Sequence, residues 1–111
     1  MPSDAASVQR HEIYAARLRY GRSNDFRPCL ILEVHNNRTV TVAPLSSVVE
    51  LYNSSIHFWI DASRPEFGAT GLRKTSYCDG SLLFTIPQER LTKRFGRLEG
   101  DLSREFEKWL A

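Results

Sequence analysis

The chain has 111 residues, 41% of them apolar and 25% charged, with a net charge of +2. That is one domain's length at ordinary globular composition, which excludes a disordered tail, a collagen-like repeat and a coiled-coil rod. The longest uncharged run, residues 39–49, contains Pro44 and is far shorter than the roughly 20 apolar residues of a membrane span, so no membrane association is expected.

Residues 1–10 carry small and polar side chains without an apolar core of signal-peptide length. They read as a loose N-terminal tail ahead of a single domain over residues 11–111, in a cytoplasmic protein. Along residues 11–20, Tyr14, Ala16, Leu18 and Tyr20 alternate with Ala15, Arg17 and Arg19. A period of two predicts a half-buried strand, although Ala-Ala-Arg-Leu-Arg would suit a helix equally well. Gly21-Arg22-Ser23-Asn24-Asp25-Phe26 is a polar loop of turn formers. The apolar run Cys29-Leu30-Ile31-Leu32-Glu33-Val34 predicts a strand buried on both faces, with Pro28 at its first position, where a missing N–H does least harm.

Asn36-Asn37 predicts a two-residue turn, because Asn tolerates positive φ. The β-branched, alternating residues 38–45 then return as the second strand of a hairpin. A polar connection over 46–55 leads to a strand at 56–61, followed by a long loop over 62–70. A short strand is expected at 76–79, a turn at Gly80, and a last strand at 82–86. Residues 88–95 read as a helical turn stopped by Gly96. The one long helix is expected over 100–110, with Leu102, Phe106, Trp109 and Leu110 on one apolar face and Asp101 in the first turn, where it favours the helix dipole. Six short strands followed by a helix predict a small antiparallel barrel with the helix docked on one side.

Little cofactor chemistry is visible. His11, His35 and His57 are scattered singly, and Cys29 and Cys78 are far apart, so there is neither metal-ligand spacing nor a disulfide framework. Cys29 opens an apolar run and reads as a buried, reduced thiol. Gly68-Ala69-Thr70-Gly71 lacks the lysine of a phosphate loop. No cofactor and no metal are expected. The positive charge is carried by 12 Arg against 3 Lys, and Arg offers a planar fork suited to phosphate where Lys offers a point charge. Residues 1–98 hold 13 basic and 9 acidic side chains, net +4, whereas residues 99–111 are net −2. Arg27 falls where a loop enters a buried strand, Ser46-Ser47 where a strand leaves the sheet, Arg73-Lys74 before a short strand and Asp79 at its end. Arg can neutralise a phosphorane, a hydroxyl can donate to a phosphoryl oxygen, and a carboxylate can take the proton of a ribose 2′-OH. The same residues at strand ends also serve as ordinary turn and surface residues.

Four stretches in order tighten this reading. Arg27-Pro28-Cys29-Leu30-Ile31-Leu32 resembles the Arg-Pro-(apolar) strand of the PemK/MazF toxin family. Val42-Ala43-Pro44-Leu45-Ser46-Ser47 is similar to its Val-x-Pro-(apolar)-Thr-Ser strand end. Gly71-Leu72-Arg73-Lys74-Thr75-Ser76-Tyr77-Cys78-Asp79 is similar to its Gly-Leu-(basic)-Lys-x-Ser stretch leading to a Cys-Asp pair. Arg90-Leu91, Gly96-Arg97-Leu98 and the closing helix match its C-terminal pattern. The resemblance implies a mainly β, SH3-like barrel with a C-terminal helix that forms a homodimer. It implies a metal-independent endoribonuclease that cuts single-stranded RNA, mRNA included, by internal 2′-OH attack, and a cognate antitoxin whose acidic tail fills the RNA groove. By this resemblance Arg27, Ser46 (at a position usually Thr) and Asp79 are the catalytic residues, and Arg22, Ser47, Arg73 and Lys74 contact RNA. The loop of residues 21–26 is shorter than the family's and lacks its Glu-Gln, and Tyr77 stands where some members carry an arginine. Two other readings stay open: a non-catalytic SH3-like module that binds nucleic acid or protein, and a relative with a different target.

Overall fold

The computed structural model describes residues 8–18 and 26–111. Seven strands are present: β1 (Glu12–Arg17), β2 (Phe26–Val34), β3 (Thr39–Ser46), β4 (His57–Ile60), β5 (Ser76–Asp79), β6 (Phe84–Pro87) and β7 (Leu91–Arg97). A short helix α1 (Phe67–Thr70) precedes β5, and the long helix α2 (Gly100–Leu110) closes the chain. All pairings are antiparallel, in the order β4-β5-β3-β2-β1-β7, with β6 also on β3. This is the mainly β fold with a C-terminal helix that the sequence predicts, although the path ends at β4 and β7 instead of closing on itself.

The two central strands explain the shape. In β2, Leu30 and Leu32 enter one apolar cluster, with Leu45, Phe58, Cys78, Leu102 and Phe106. Cys29 and Ile31 enter a second, with Ala16, Val40, Val42 and Ile86. The near-continuous apolar run therefore reflects a strand buried on both faces, as expected. Strand β3 divides its far edge between two partners: Thr39 to Val42 pair with β6, and Leu45 and Ser46 pair with β5. Ser46 is thus the last residue of a well-anchored strand.

The structure corrects several expectations. Strand β2 begins at Phe26, so Pro28 is its third residue. Pro28 pairs with Ala15 on the β1 side, and pairing with β3 begins one residue later at Cys29; the missing N–H falls where no strand waits for it. The β2–β3 turn spans three residues, because His35 N–H donates to Thr39 O at 2.9 Å, and the positive φ of +64° sits on Arg38 instead of either Asn. A three-residue loop ending in a left-handed residue is the next commonest hairpin connection. The 62–70 loop contains α1. Residues 88–95 form not a helical turn but a single 3₁₀ turn (Gln88–Arg90) running into β7. Gly96 lies inside that strand, where a Cβ would come within 2.0 Å of Ala69 O. It permits α1 to press against β7. On α2, Leu102 and Phe106 are fully buried and Trp109 packs on the first cluster, but Leu110 is exposed.

Residues 8–11 and the closing helix are tied to this frame and to each other. Val8 is buried in the second cluster, and Arg10 Nε donates to Leu32 O at 2.9 Å while its Nη2 pairs with Glu107 at 2.7 Å. His11 accepts positive φ (+74°) and bridges Ser103 Oγ (2.6 Å) and the Glu107 carboxylate. Among the described residues no helix is long and apolar enough to cross a membrane.

Candidate nucleic-acid interface

A groove of about 430 Å³ opens where the start of β2, the end of β3 and the approach to β5 meet. Arg27 is the second residue of β2 and is half-buried opposite Ala16. Ser46 and Ser47 come from the end of β3, and Arg73 and Lys74 from the exposed segment before β5. The structure therefore brings together five of the residues singled out in the sequence. Arg22 lies outside the described residues. Phe26, Val48, Leu72 and Ser76 complete most of the wall; Leu72 and Ser76 fall in the Gly-Leu-(basic)-Lys-x-Ser stretch, whereas no local sequence signal marks Phe26 or Val48 as lining, because the meeting of these segments depends on β3 pairing with β5. Arg17 adds a further cation at the rim, its guanidinium 4.6 Å over the Phe26 ring.

The electrostatics of the groove are one-sided. Among the described residues its lining holds Arg27, Arg73 and Lys74 and no carboxylate or imidazole. Ser46 Oγ accepts the Val48 N–H at 3.1 Å, so its own O–H remains able to donate outward. Ser76 differs: its hydroxyl is turned back onto Lys74 O at 2.9 Å. Below the groove, burial pushes the Cys29 thiol up to about 12, and Cys78 is also raised by burial. Both are free and buried, and neither is a nucleophile at neutral pH.

Asp79 stands apart from this lining. In antiparallel pairing directly opposed residues share a sheet face, and Ser46 opposes Tyr77 while Asp79 opposes His57. Asp79 is therefore on the Ser46 face, but at a diagonal position roughly 7–8 Å away. Its Oδ1 accepts the Ser81 N–H (2.9 Å) and hydroxyl (2.5 Å), and its Oδ2 lies 3.6 Å from His57 Nε2. His57 Nδ1 accepts the Asn53 N–H at 2.9 Å, which places the ring proton on Nε2, facing the carboxylate. No group of three or more His, Cys, Asp or Glu side chains is arranged to hold a metal ion among the described residues.

The chain that carries this groove has a match among known families. Residues 9–111 match the model of the PemK-like, MazF-like toxins of type II toxin–antitoxin systems. The chain belongs to that family. Solved structures agree with the MazF-like assignment. The chain is similar to the Mycobacterium tuberculosis toxin MazF-mt6, with 25% identity, 87% of this chain and 89% of that one covered and a TM-score of 0.65. It also resembles an endoribonuclease in complex with its cognate antitoxin from a mycobacterial species (17% identity, 95% and 90% covered, TM-score 0.64). A further mycobacterial endoribonuclease gives 16% identity, 95% and 88% covered, and a TM-score of 0.68. At such identities the last two speak to the fold. A search of curated protein sequences gives no match. In this MazF-like chain the matched region contains every described groove residue.

Proposed function

We propose that this toxin is a metal-independent endoribonuclease acting on single-stranded RNA, with Arg27 and Ser46 at the scissile phosphate. The observation that carries the reading is the groove that joins Arg27, Ser46, Ser47, Arg73 and Lys74. A phosphodiester seated there meets the Arg27 guanidinium and the outward Ser46 O–H. The ribose 2′-O attacks phosphorus, the P–O5′ bond breaks, and the products are a 2′,3′-cyclic phosphate and a 5′-hydroxyl. The 2′-OH gives up its proton and O5′ gains one. Arg27 and Ser46 stabilise the dianionic phosphorane between, while Arg73, Lys74 and Ser47 hold neighbouring phosphates. Asp79 takes the base role only if the ribose lies over Tyr77, given its diagonal place on the face.

The partner in this reading is an antitoxin with an acidic tail that competes with RNA for the groove cations, and the toxin works as a homodimer in the cytoplasm. The test is incubation of the purified protein with a long single-stranded RNA in EDTA, with mapping of 5′ ends. Discrete cuts bearing 5′-hydroxyls are expected from the wild type. Arg27→Ala is expected to cut roughly 10²–10³-fold more slowly. Equal cutting by that variant would overturn the site. The lack of a carboxylate or imidazole among the described lining residues favours a second reading, in which the groove holds RNA without cutting. Tight binding with no products from the wild type would select it.

A further inference from the structure

A second cleft, of about 550 Å³, lies at the β4 end of the sheet, between the Tyr52–Trp59 side and helix α2. Its walls are aromatic. Tyr52 meets Trp59 at 4.6 Å, ring edge to face, and His57 stacks on Tyr77 at 4.2 Å. Trp109 lines the cleft as well. The register ties the two sites together: Ser46 opposes Tyr77, and Tyr77 opposes Trp59. The three residues thus form a row across β3, β5 and β4, all facing away from the cluster that holds Leu45, Cys78 and Phe58. Two strand spacings put the Trp59 backbone only about 10 Å from that of Ser46. Along the chain the link is equally short. Ser46, Ser47 and Val48 line the groove, one 3₁₀ turn (Val49–Leu51) follows, and Tyr52 lines the cleft.

We propose that Tyr52 and Trp59 form a nucleobase-stacking subsite for a base beside the scissile phosphate. The proposal rests on the RNA-cleaving reading above and extends it to substrate selection. Base–aromatic stacking is a principal source of affinity for single strands, and these rings are held in place before RNA arrives. Trp59 Nε1 donates to Asp61 Oδ2 at 3.2 Å, and Asp61 is in turn fixed by the Ser63 N–H (2.8 Å) and hydroxyl (2.7 Å). The charges are also suited to a neutral base. Arg64 is occupied by Glu66 and Glu105, so no cation in the cleft competes with the groove for phosphate. The Asp61 and Glu105 carboxylates at its edge can accept from an exocyclic amino group. The groove takes the backbone and the cleft takes a base.

The test uses RNA oligonucleotides made uncleavable by a 2′-deoxy sugar at the cut site, in a series carrying one abasic position at a time. For the intact oligonucleotide, Tyr52→Ala is expected to weaken binding roughly 5- to 150-fold, with Tyr52→Phe close to wild type. One abasic position should weaken wild-type binding by a similar factor and have little further effect in Tyr52→Ala. The cut-site preference of Tyr52→Ala on long RNA should relax at that same position. Unchanged binding in Tyr52→Ala, or abasic penalties identical in variant and wild type, would overturn the subsite. A Tyr52→Ala variant that changes sedimentation mass while keeping wild-type affinity would assign the face to contact between copies, and would overturn it too. The two readings fail separately. Arg27-dependent cutting with no Tyr52 dependence removes the subsite and leaves the nuclease. Tyr52-dependent binding without cutting removes the nuclease and leaves the subsite.

Discussion

Arg27 and Ser46 are positioned by different means. Arg27 is set by strand pairing with Ala16, while Ser46 is oriented by the Val48 N–H that occupies its oxygen. Because that bond uses the serine only as acceptor, Ser46→Thr is expected to keep cleavage near the wild-type rate. Ser46→Ala loses one donor to a charged oxygen, worth about 1.5–3 kcal/mol, or roughly 10- to 150-fold in kcat on a defined RNA. Equal rates for Ser46→Ala and wild type would remove Ser46 from the site. Far from the groove, Glu107 is held below its ordinary value by the hydrogen bond from His11 and then by Arg10. A carboxylate with a depressed folded pKa contributes stability above its unfolded pKa and loses that contribution as pH falls through the folded one. Acid should therefore loosen the grip of residues 10 and 11 on α2 as pH drops below the ordinary glutamate range. Glu107→Gln is expected to be less stable than wild type near neutrality and to converge with it in acid, read by thermal melts at several pH values. A constant difference across pH would refute the linkage.

At the scale of elements, two glycines decide where the basic segment of the groove lies. Gly71 ends α1 at φ +71°, and a Cβ there would come within 2.1 Å of Phe95 O; a Cβ on Gly96 would strike Ala69 O. Both clashes are with backbone, so neither is relieved by a side chain moving. Gly71→Ala is expected to cost at least about 2 kcal/mol from the left-handed geometry and the overlap together. That lowers Tm by roughly 8–16 °C, and weakens RNA binding because Arg73 and Lys74 follow directly. A melt unchanged within error would show that α1 does not need this approach. These details also mark what the sequence leaves hidden. The buried strand β2, the hairpin, β5 and α2 were legible, because each is written in local periodicity or turn chemistry. Strand β7 was not: Leu91-Thr92-Lys93-Arg94-Phe95-Gly96-Arg97 has no clean alternation, and its pairing with β1 carries two register irregularities. Its strand character comes from that partner. Leu110 shares the helical period of Leu102 and Phe106 but is exposed. At the site, Arg27, Ser46, Ser47, Arg73 and Lys74 were legible through resemblance, and their convergence is tertiary. The separation of Asp79 from the groove follows only from register, which no sequence pattern displays.

For the whole molecule, a net charge of +2 is too small to organise RNA binding; in the proposed function that task falls to the groove cations, of which Arg27, Arg73 and Lys74 are among the described residues. Neutralising three phosphates of a single strand should give a slope of log K against log salt near −2. Lys74→Ala should reduce that slope by about 0.7 and weaken binding to all sequences alike. A slope near zero in wild type would mean that the groove does not meet phosphate. Among the described residues the strand path ends at the short β4 and at β7, which bears Lys93, Arg94 and Arg97. Charged and short edges resist open-ended strand pairing with other chains. The division of β3 between β5 and β6 has one more consequence. The amides of residues 40–42 in that strand, flanked by β2 on one side and β6 on the other, should be among the slowest to exchange with deuterium, whereas those of the exposed Arg73 and Lys74 should exchange early. Ser46 is thus bolted to the stiffest part of the molecule and its basic counterparts are carried on a pliant one. A bound strand would leave the serine's surroundings as they were, and show itself by quieting the other bank of the groove.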